Sequence, residues 1–146
     1  MNNLKQFIWA FFSVMLILLT VCPISAEAKE SNANTTETND VAIEYLKEME
    51  ASFNSPETLQ EIKNTMVISE YSAKRDGNIL TLTYKFNSIL DFDRMTDDEK
   101  QVMANQSIQY VKSMLGPEEL KYHEKGLVTI KFVWIDKAGR FYTAKF

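Results

Sequence analysis

The sequence predicts an α+β domain in which two helix–hairpin units form one four-stranded antiparallel sheet, with the helices packed on one face. Three patterns support this prediction. Twice along the chain, apolar residues at helical spacing are followed by a pair of segments in which apolar and polar residues alternate. A glycine-containing turn separates the segments of each pair, at Asp76-Gly77 and within residues 136–139. Four strands with one covered face are stable, whereas an isolated hairpin is marginal in water.

The first unit opens with a helix over residues 40–53. Its apolar residues fall on one side of a helix, and they are Ala42, Leu46, Met49 and Phe53. Ser55 and Pro56 then fit the cap and the first position of a short second helix, which ends near Asn64.

The first hairpin covers residues 65–86. Its arms are residues 66–73 and 79–86, and Gly77 in the turn between them supplies the positive φ that a tight turn needs. The second arm has the clearest strand pattern in the chain, because large apolar residues occupy every second position: Leu80, Leu82, Tyr84 and Phe86.

The second unit begins with a helix capped by Thr96. Glu99 follows three residues later and completes a capping box, and the predicted helix ends at Leu115, before Gly116 and Pro117. A short helical turn is expected over residues 118–124. The second hairpin follows over residues 127–146, with its turn at residues 136–139.

Four apolar residues of the second hairpin form the candidate binding surface: Val133, Ile135, Phe141 and Tyr142. Phe141 and Tyr142 are adjacent in a strand, so one of them points to the face without helices. With Val133 and Ile135 it forms an exposed apolar patch, a common mark of a partner surface. The competing interpretation, which the pattern favours, assigns these residues to the core.

Residues 1–28 have the layout of a secretory signal peptide. Lys5 precedes an apolar run over residues 7–21, and small residues follow, with cleavage expected after Ala26 or Ala28. The run of about 15 residues is short for a bilayer core that needs about 20. An uncleaved anchor over residues 7–24 is the alternative. Lipidation of Cys22 is a minority interpretation, because Val21 stands where a small residue is expected.

Residues 29–39 are predicted to be a flexible polar spacer. They contain no large apolar side chain, so they bury too little surface to offset the entropy lost on ordering. The α+β domain is then expected over residues 40–146, with the protein secreted or held at the extracellular face of the cytoplasmic membrane. Any membrane contact is expected only through an uncleaved N-terminal segment.

The chain contains few groups that support catalysis or metal binding. His123 is its one histidine, and its one cysteine, Cys22, lies in the predicted leader. A general base needs an orienting partner and a nucleophile, and zinc needs three or four ligands. Asp91 and Asp93 begin a calcium-loop pattern that fails at the glycine position, which Thr96 occupies. We therefore predict no catalytic residue, no metal and no cofactor.

Two stretches of the hairpins resemble a family of small exported domains of Gram-positive bacteria. One is Arg-Asp-Gly-Asn-Ile-Leu at residues 75–80, together with Tyr-Lys-Phe at residues 84–86. The other is Val-Trp-Ile-Asp-Lys-Ala-Gly-Arg at residues 133–140, continuing to Phe146. The resemblance covers about residues 40–146. The family is known as a domain of unknown function, so the resemblance implies an exported helix–hairpin–helix–hairpin domain and supplies no catalytic residues.

These observations give one leading functional prediction and two alternatives. We expect an exported, noncatalytic domain that binds a protein, a peptide or a cell-envelope component. The first alternative is a secreted hydrolase-type enzyme that uses Asp91 or Asp93 with His123. The second is a structural accessory protein anchored by residues 7–24. The formal net charge of −4 argues against a nucleic-acid partner.

Overall fold

The computed structural model of the protein describes residues 35–87 and 90–146. The described helices and strands are, in chain order, α1 (Thr35–Phe53), α2 (Pro56–Asn64), β1 (Ile68–Asp76), β2 (Ile79–Phe86), α3 (Asp97–Met114), α4 (Pro117–Glu124), β3 (Thr129–Ile135) and β4 (Phe141–Lys145). The predicted leader, its cleavage sites and Cys22 lie outside the described residues. None of the helices within the described ranges combines the length and the apolar character that crossing a bilayer requires.

The four strands form one mixed sheet in the order β1-β2-β3-β4. Both hairpins are antiparallel, but β2 and β3 run parallel, with Ile79 beside Thr129 and Lys85 beside Ile135. The prediction of a fully antiparallel sheet is therefore wrong, although the class is α+β as expected.

The parallel pairing follows from the length of the connection between the hairpins. Parallel neighbours need a crossover that returns the chain to the start of the first strand. The eight residues of β2 extend about 26 Å at about 3.3 Å per residue. The 18 residues of α3 extend about 27 Å at 1.5 Å per residue, so this helix retraces the whole strand. Adjacent antiparallel strands can be joined by a short turn, which does not require a helix of that length.

The core lies between the helices and one face of the sheet. Alternate residues of the central strands are fully buried, and those on β2 and β3 include Leu80, Leu82, Ile130, Phe132 and Trp134. The predicted face of the first helix meets them, because Ala42, Leu46, Met49 and Phe53 are all buried. The opposite face of the sheet carries the intervening residues, which are only partly buried along β2 and β3.

Helix boundaries agree with the predictions at the capped ends and differ at the start of α1. Ser55 accepts a hydrogen bond from the backbone N–H of Thr58, and Thr96 with Glu99 forms the predicted capping box. Helix α1 begins at Thr35, five residues before the predicted start and inside the segment assigned to the spacer. Extending an existing helix costs little per residue, so a segment without apolar side chains can continue one that is anchored further along.

The end of α2 holds a residue in an unfavourable backbone conformation. Met66 has φ of 56°, and 83% of its surface is exposed. Its N–H donates to the carbonyl of Lys63, and its carbonyl accepts a bond from the Asn87 side chain, so both neighbours hold it in place. Glycine is the usual residue at this position after a helix, because a side chain makes the left-handed conformation costly.

We predict that Met66→Gly raises the free energy of unfolding by about 0.5–1 kcal/mol. The left-handed conformation costs an L-residue about 1–2 kcal/mol, and glycine removes this cost. The greater freedom of glycine in the unfolded chain offsets about 0.5–1 kcal/mol of the gain. Urea denaturation measures the change. Val102→Gly, at an exposed site within α3, is the matched control and lowers stability by about the same amount. Equal or lower stability of Met66→Gly contradicts the assignment of strain.

Candidate binding face

The sheet face opposite the helices, here the open face, presents a regular grid of side chains. Cross-strand partners share a face, so the register fixes its rows from β1 to β4. The first row contains Glu70, Lys85, Ile135 and Phe141; the second contains Ser72, Thr83, Val133 and Thr143; the third contains Lys74, Thr81, Lys131 and Lys145; the fourth contains Asp76, Ile79 and Thr129. Within the described residues no helix covers this grid, and its side chains on β2 and β3 are partly exposed to solvent.

Three of the four predicted binding residues lie together on the open face. Phe141 is directly opposite Ile135, and Val133 is the next residue of β3 on the same face. We name these three residues the apolar corner. Phe141 is 72% exposed, which is far more than the packing of an aromatic side chain normally leaves in water.

Tyr142 lies on the helix side of the sheet and is not part of this surface. Its ring packs on Trp134, with ring centroids 6.0 Å apart, and contacts Phe92 at 6.2 Å. The placement follows from strand geometry, because Phe141 and Tyr142 are neighbours and point in opposite directions. Tyr142 therefore belongs to the core, and the predicted surface keeps only the three residues of the apolar corner.

Four lysines lie on the open face beside the apolar corner. Lys74, Lys131 and Lys145 share the third row, and we name them the lysine row. Lys85 in the first row pairs with Glu70 at 2.5 Å, whereas the lysine row makes no ion pair with any residue that the structure describes. The open face thus offers apolar contact area beside three lysines that form no ion pair with the described residues.

A buried carboxylate fixes the turn that leads into β4. Asp136 is fully buried, and its two side-chain oxygens accept four hydrogen bonds. The donors are the backbone N–H groups of Phe92, Ala138 and Arg140, at 3.1, 2.9 and 2.9 Å, and the Nε of Arg140, at 2.7 Å. Every lone pair of the carboxylate is in use, so its burial is compensated.

Arg140 extends this network to the surface. Its guanidinium also donates to Asp91 at 2.7 Å and pairs with Asp93. The cluster joins the β3–β4 turn to the connector that precedes α3, and it sets the position at which Phe141 enters the sheet. The cation that Asp91 and Asp93 meet is thus an arginine of the same chain. Among the residues that the structure describes, no group of three or more His, Cys, Asp or Glu side chains is arranged to hold a metal ion.

His123 lies in an aromatic cluster at the other end of β4. Its ring stacks on Phe146 at 4.3 Å, its Nε2 is 3.3 Å from the Tyr45 hydroxyl, and its Nδ1 is 3.4 Å from the Phe146 carbonyl. Burial raises the pKa of Tyr45, so its hydroxyl keeps the proton and donates to Nε2. The carbonyl accepts only, so the neutral ring carries its proton on Nδ1.

The pKa of His123 lies below its ordinary value. Desolvation by burial is the main cause, and the positive charge of Lys112 adds to it, while the bond to the Phe146 carbonyl opposes it. Lys112 Nζ sits 4.9 Å from the centre of the Phe146 ring, on which His123 stacks. The site therefore holds a neutral imidazole packed between aromatic rings.

The structure does not bring His123 together with Asp91 or Asp93. The aspartates bind Arg140 at the start of β4, whereas His123 contacts Phe146 beyond its end. The five residues of β4 lie between Arg140 and Phe146, so six steps of about 3.3 Å place these two residues about 20 Å apart. Groups that share a proton transfer lie within hydrogen-bonding reach or one water apart. The acid–histidine pair of the enzyme alternative is therefore not assembled in this fold.

Sequence reasoning did not identify the Asp136–Arg140 cluster. The sequence predicts Asp136 only as a turn residue and Asp91 only as part of a calcium-loop pattern that fails. The sequence does contain a signal for the turn. An aspartate at the start of a turn commonly accepts hydrogen bonds from backbone N–H groups a few residues later. Nothing local indicated that Asp91, 49 residues from Arg140, completes the network.

Comparisons with protein-family models, with curated proteins and with solved structures give no match.

We predict that Asp136→Ala lowers the free energy of unfolding by about 3 kcal/mol. The substitution leaves three backbone donors without an acceptor and one guanidinium without its buried partner, and each loss of this kind is costly. Asp93→Ala removes the exposed member of the same cluster and changes stability by less than about 1 kcal/mol. Denaturant unfolding of both variants measures the difference, and similar losses would show that Asp136 has no special role.

We predict that acidification destabilises the protein through His123. Its folded-state pKa is lowered, so between that pKa and the ordinary value of 6.5 the unfolded chain binds more protons. Stability contributed by the neutral ring is complete above pH 6.5 and is lost as the pH falls below it. Unfolding free energies at pH 7.5 and 5.5 test this for the wild type and for His123→Gln, which does not titrate. If the free energies of unfolding of the wild type and His123→Gln differ by the same amount at both pH values, the prediction is wrong.

Proposed function

We propose that this protein is an exported, noncatalytic binding module whose open face binds an anionic protein or envelope component outside the cell. One observation carries the proposal: an aromatic side chain that is 72% exposed lies beside two aliphatic ones, on a sheet face that no described helix covers. An exposed aromatic ring beside half-buried aliphatic side chains is typical of a surface that a partner covers.

The charge of the open face supports an anionic ligand. The whole chain carries a formal charge of −4, yet the grid of the open face contains four lysines and only two acidic residues, Glu70 and Asp76, and is net positive. A surface whose sign differs from that of the whole molecule attracts ligands of the opposite sign and orients them as they approach. The apolar corner then supplies the contact area that charge alone does not.

The extracellular location is part of this proposal and rests on the sequence. Residues 1–28 have the order of a secretory leader, and the hairpins resemble a family of exported domains. Mass spectrometry of the protein recovered from cells tests the location. A new N-terminus after Ala26 or Ala28 in the extracellular fraction supports it, whereas intact protein in the cytosol contradicts it.

We predict that Phe141→Ser together with Lys131→Glu abolishes ligand retention. Full-length protein is expressed and recovered, and it is then incubated with the envelope fraction of the same cells. Bound material is measured at low and at high salt. The wild type retains an anionic component that the double variant loses, and salt weakens the retention because part of the attraction is electrostatic.

Two controls separate a binding defect from a folding defect. Val102→Ser removes an exposed apolar residue from α3, on the opposite side of the sheet, and retains the ligand. Thermal unfolding of the double variant reports whether the sheet is intact. Equal retention by the wild type and a folded double variant contradicts the proposed function, as does the absence of any retained component.

A further inference from the structure

The outer edge of β4 presents backbone groups that no other strand uses. Antiparallel strands turn alternate residues toward each other, and the carbonyls of Arg140 and Phe146 accept bonds from β3. Tyr142 and Ala144 alternate with the same spacing, so their backbone N–H and C=O groups also point toward β3. Phe141, Thr143 and Lys145 therefore direct their N–H and C=O groups away from the sheet. Within the described residues these groups have no hydrogen-bond partner.

The opposite edge of the sheet is covered. On β1, the carbonyl of Ala73 accepts a bond from the Asn54 side chain at 2.8 Å, and the N–H of Arg75 donates to Glu50 at 2.8 Å. Both donor and acceptor come from the end of α1 and the residue that follows it. A bulge between Ile68 and Glu70 further interrupts this edge. Covering side chains and bulges are usual means by which proteins block unwanted pairing, and β4 has neither; its protective features are its length of five residues and Lys145.

The side chains that accompany the free backbone groups of β4 belong to the open face. Phe141 lies at one end of the edge, Lys145 lies at the other, and Thr143 lies between them. All three are exposed. A strand that pairs with β4 would place its own alternate side chains beside an aromatic ring, a threonine and a lysine, with Lys131 of the lysine row next to the last of these.

We propose that an extended acidic segment of a partner protein adds to the outer edge of β4 as a fifth strand. The inference rests on the proposed function and names the class of ligand: a polypeptide with an acidic residue beside Lys145 and, four positions away, an apolar residue beside Phe141. Backbone pairing supplies affinity, and the alternate side chains supply specificity, as in other strand-addition complexes.

Charge decides between this partner and a second copy of the chain. In a symmetric pairing of two β4 edges centred on Thr143, the two open faces would become one surface, and Lys145 of each copy would lie opposite Phe141 of the other. That arrangement places no carboxylate beside Lys145 or Lys131. An acidic strand neutralises Lys145 and Lys131 instead, so the charges of the face favour a different polypeptide.

Backbone methylation of a synthetic peptide tests the proposal without altering the protein. The probe is a nine-residue peptide with glutamate and leucine four positions apart and threonine elsewhere, and its binding to the full-length protein is measured by fluorescence anisotropy. Two N-methylated forms are made. One blocks the N–H groups of the glutamate and the leucine, and the other blocks those of the two residues directly inside them, one next to the glutamate and one next to the leucine.

We predict that one of the two methylated forms binds at least about tenfold more weakly than the parent peptide, while the other binds as the parent does. Only one set of N–H groups faces β4, and losing two backbone hydrogen bonds of about 1 kcal/mol each has an effect of this size. The form that fails also shows whether the added strand is antiparallel or parallel. Equal binding of both forms and the parent overturns the proposal.

A protein variant gives an independent result. Thr143→Pro removes an N–H that points outward, where an edge strand tolerates proline, and it abolishes peptide binding. Thr143→Ala keeps the N–H and binds the peptide. Unfolding curves of both variants establish that they are folded, and binding by a folded Thr143→Pro protein overturns the proposal.

The outcomes distinguish this inference from the proposed function. If the envelope ligand is retained by the wild type and equally by Thr143→Pro, the open face binds its ligand but strand addition is wrong. If the peptide does not bind and sedimentation shows a dimer that Thr143→Pro dissociates, a second copy occupies the edge and the acidic partner is wrong.

Discussion

The parallel pairing of β2 with β3 is the constraint on which the architecture depends. It requires that the chain cross the sheet between the two hairpins, and α3 makes that crossing on the face where α1 and α2 also pack. All four described helices therefore contribute to one core, and the other face of the sheet is left without a cover. The open face is a consequence of topology as much as of the residues that it carries.

Two polar arrangements then set the ends of β4. At its start, the carboxylate of Asp136 accepts four hydrogen bonds and holds the turn rigid, and Arg140 ties this turn to the connector before α3. At its far end, the imidazole of His123 stacks on Phe146 beneath Lys112. Strand β4 has only five residues, and these contacts anchor both of its ends. The exposed edge is thus anchored at both ends, which would lower the entropy cost of the strand pairing proposed above.

The sequence predicted the elements well, because their signals are local. The caps at Ser55 and Thr96, the glycine turns and the alternation on β2 all act within a few residues. The direction of β3 relative to β2 was missed, because strand direction depends on how a distant helix packs. The length of α3 was the available evidence, since an 18-residue helix matches the extent of β2. The placement of the candidate site was predicted in part: strand alternation required that Phe141 and Tyr142 separate, but only the register assigns each to its face.

The contrast between the two edges of the sheet limits what this protein can build. Growth of a β-sheet into a filament requires each molecule to have two unpaired edge strands, so that it can pair with a neighbour on each side. Here Asn54 and Glu50 seal the side formed by β1, so among the described strands only β4 can accept a newcomer. Two copies of the chain that paired through β4 would present a capped β1 at each side of the joined sheet, so self-association by strand pairing stops at two copies. The protein can therefore display a bare strand to a crowded environment without seeding fibres of itself.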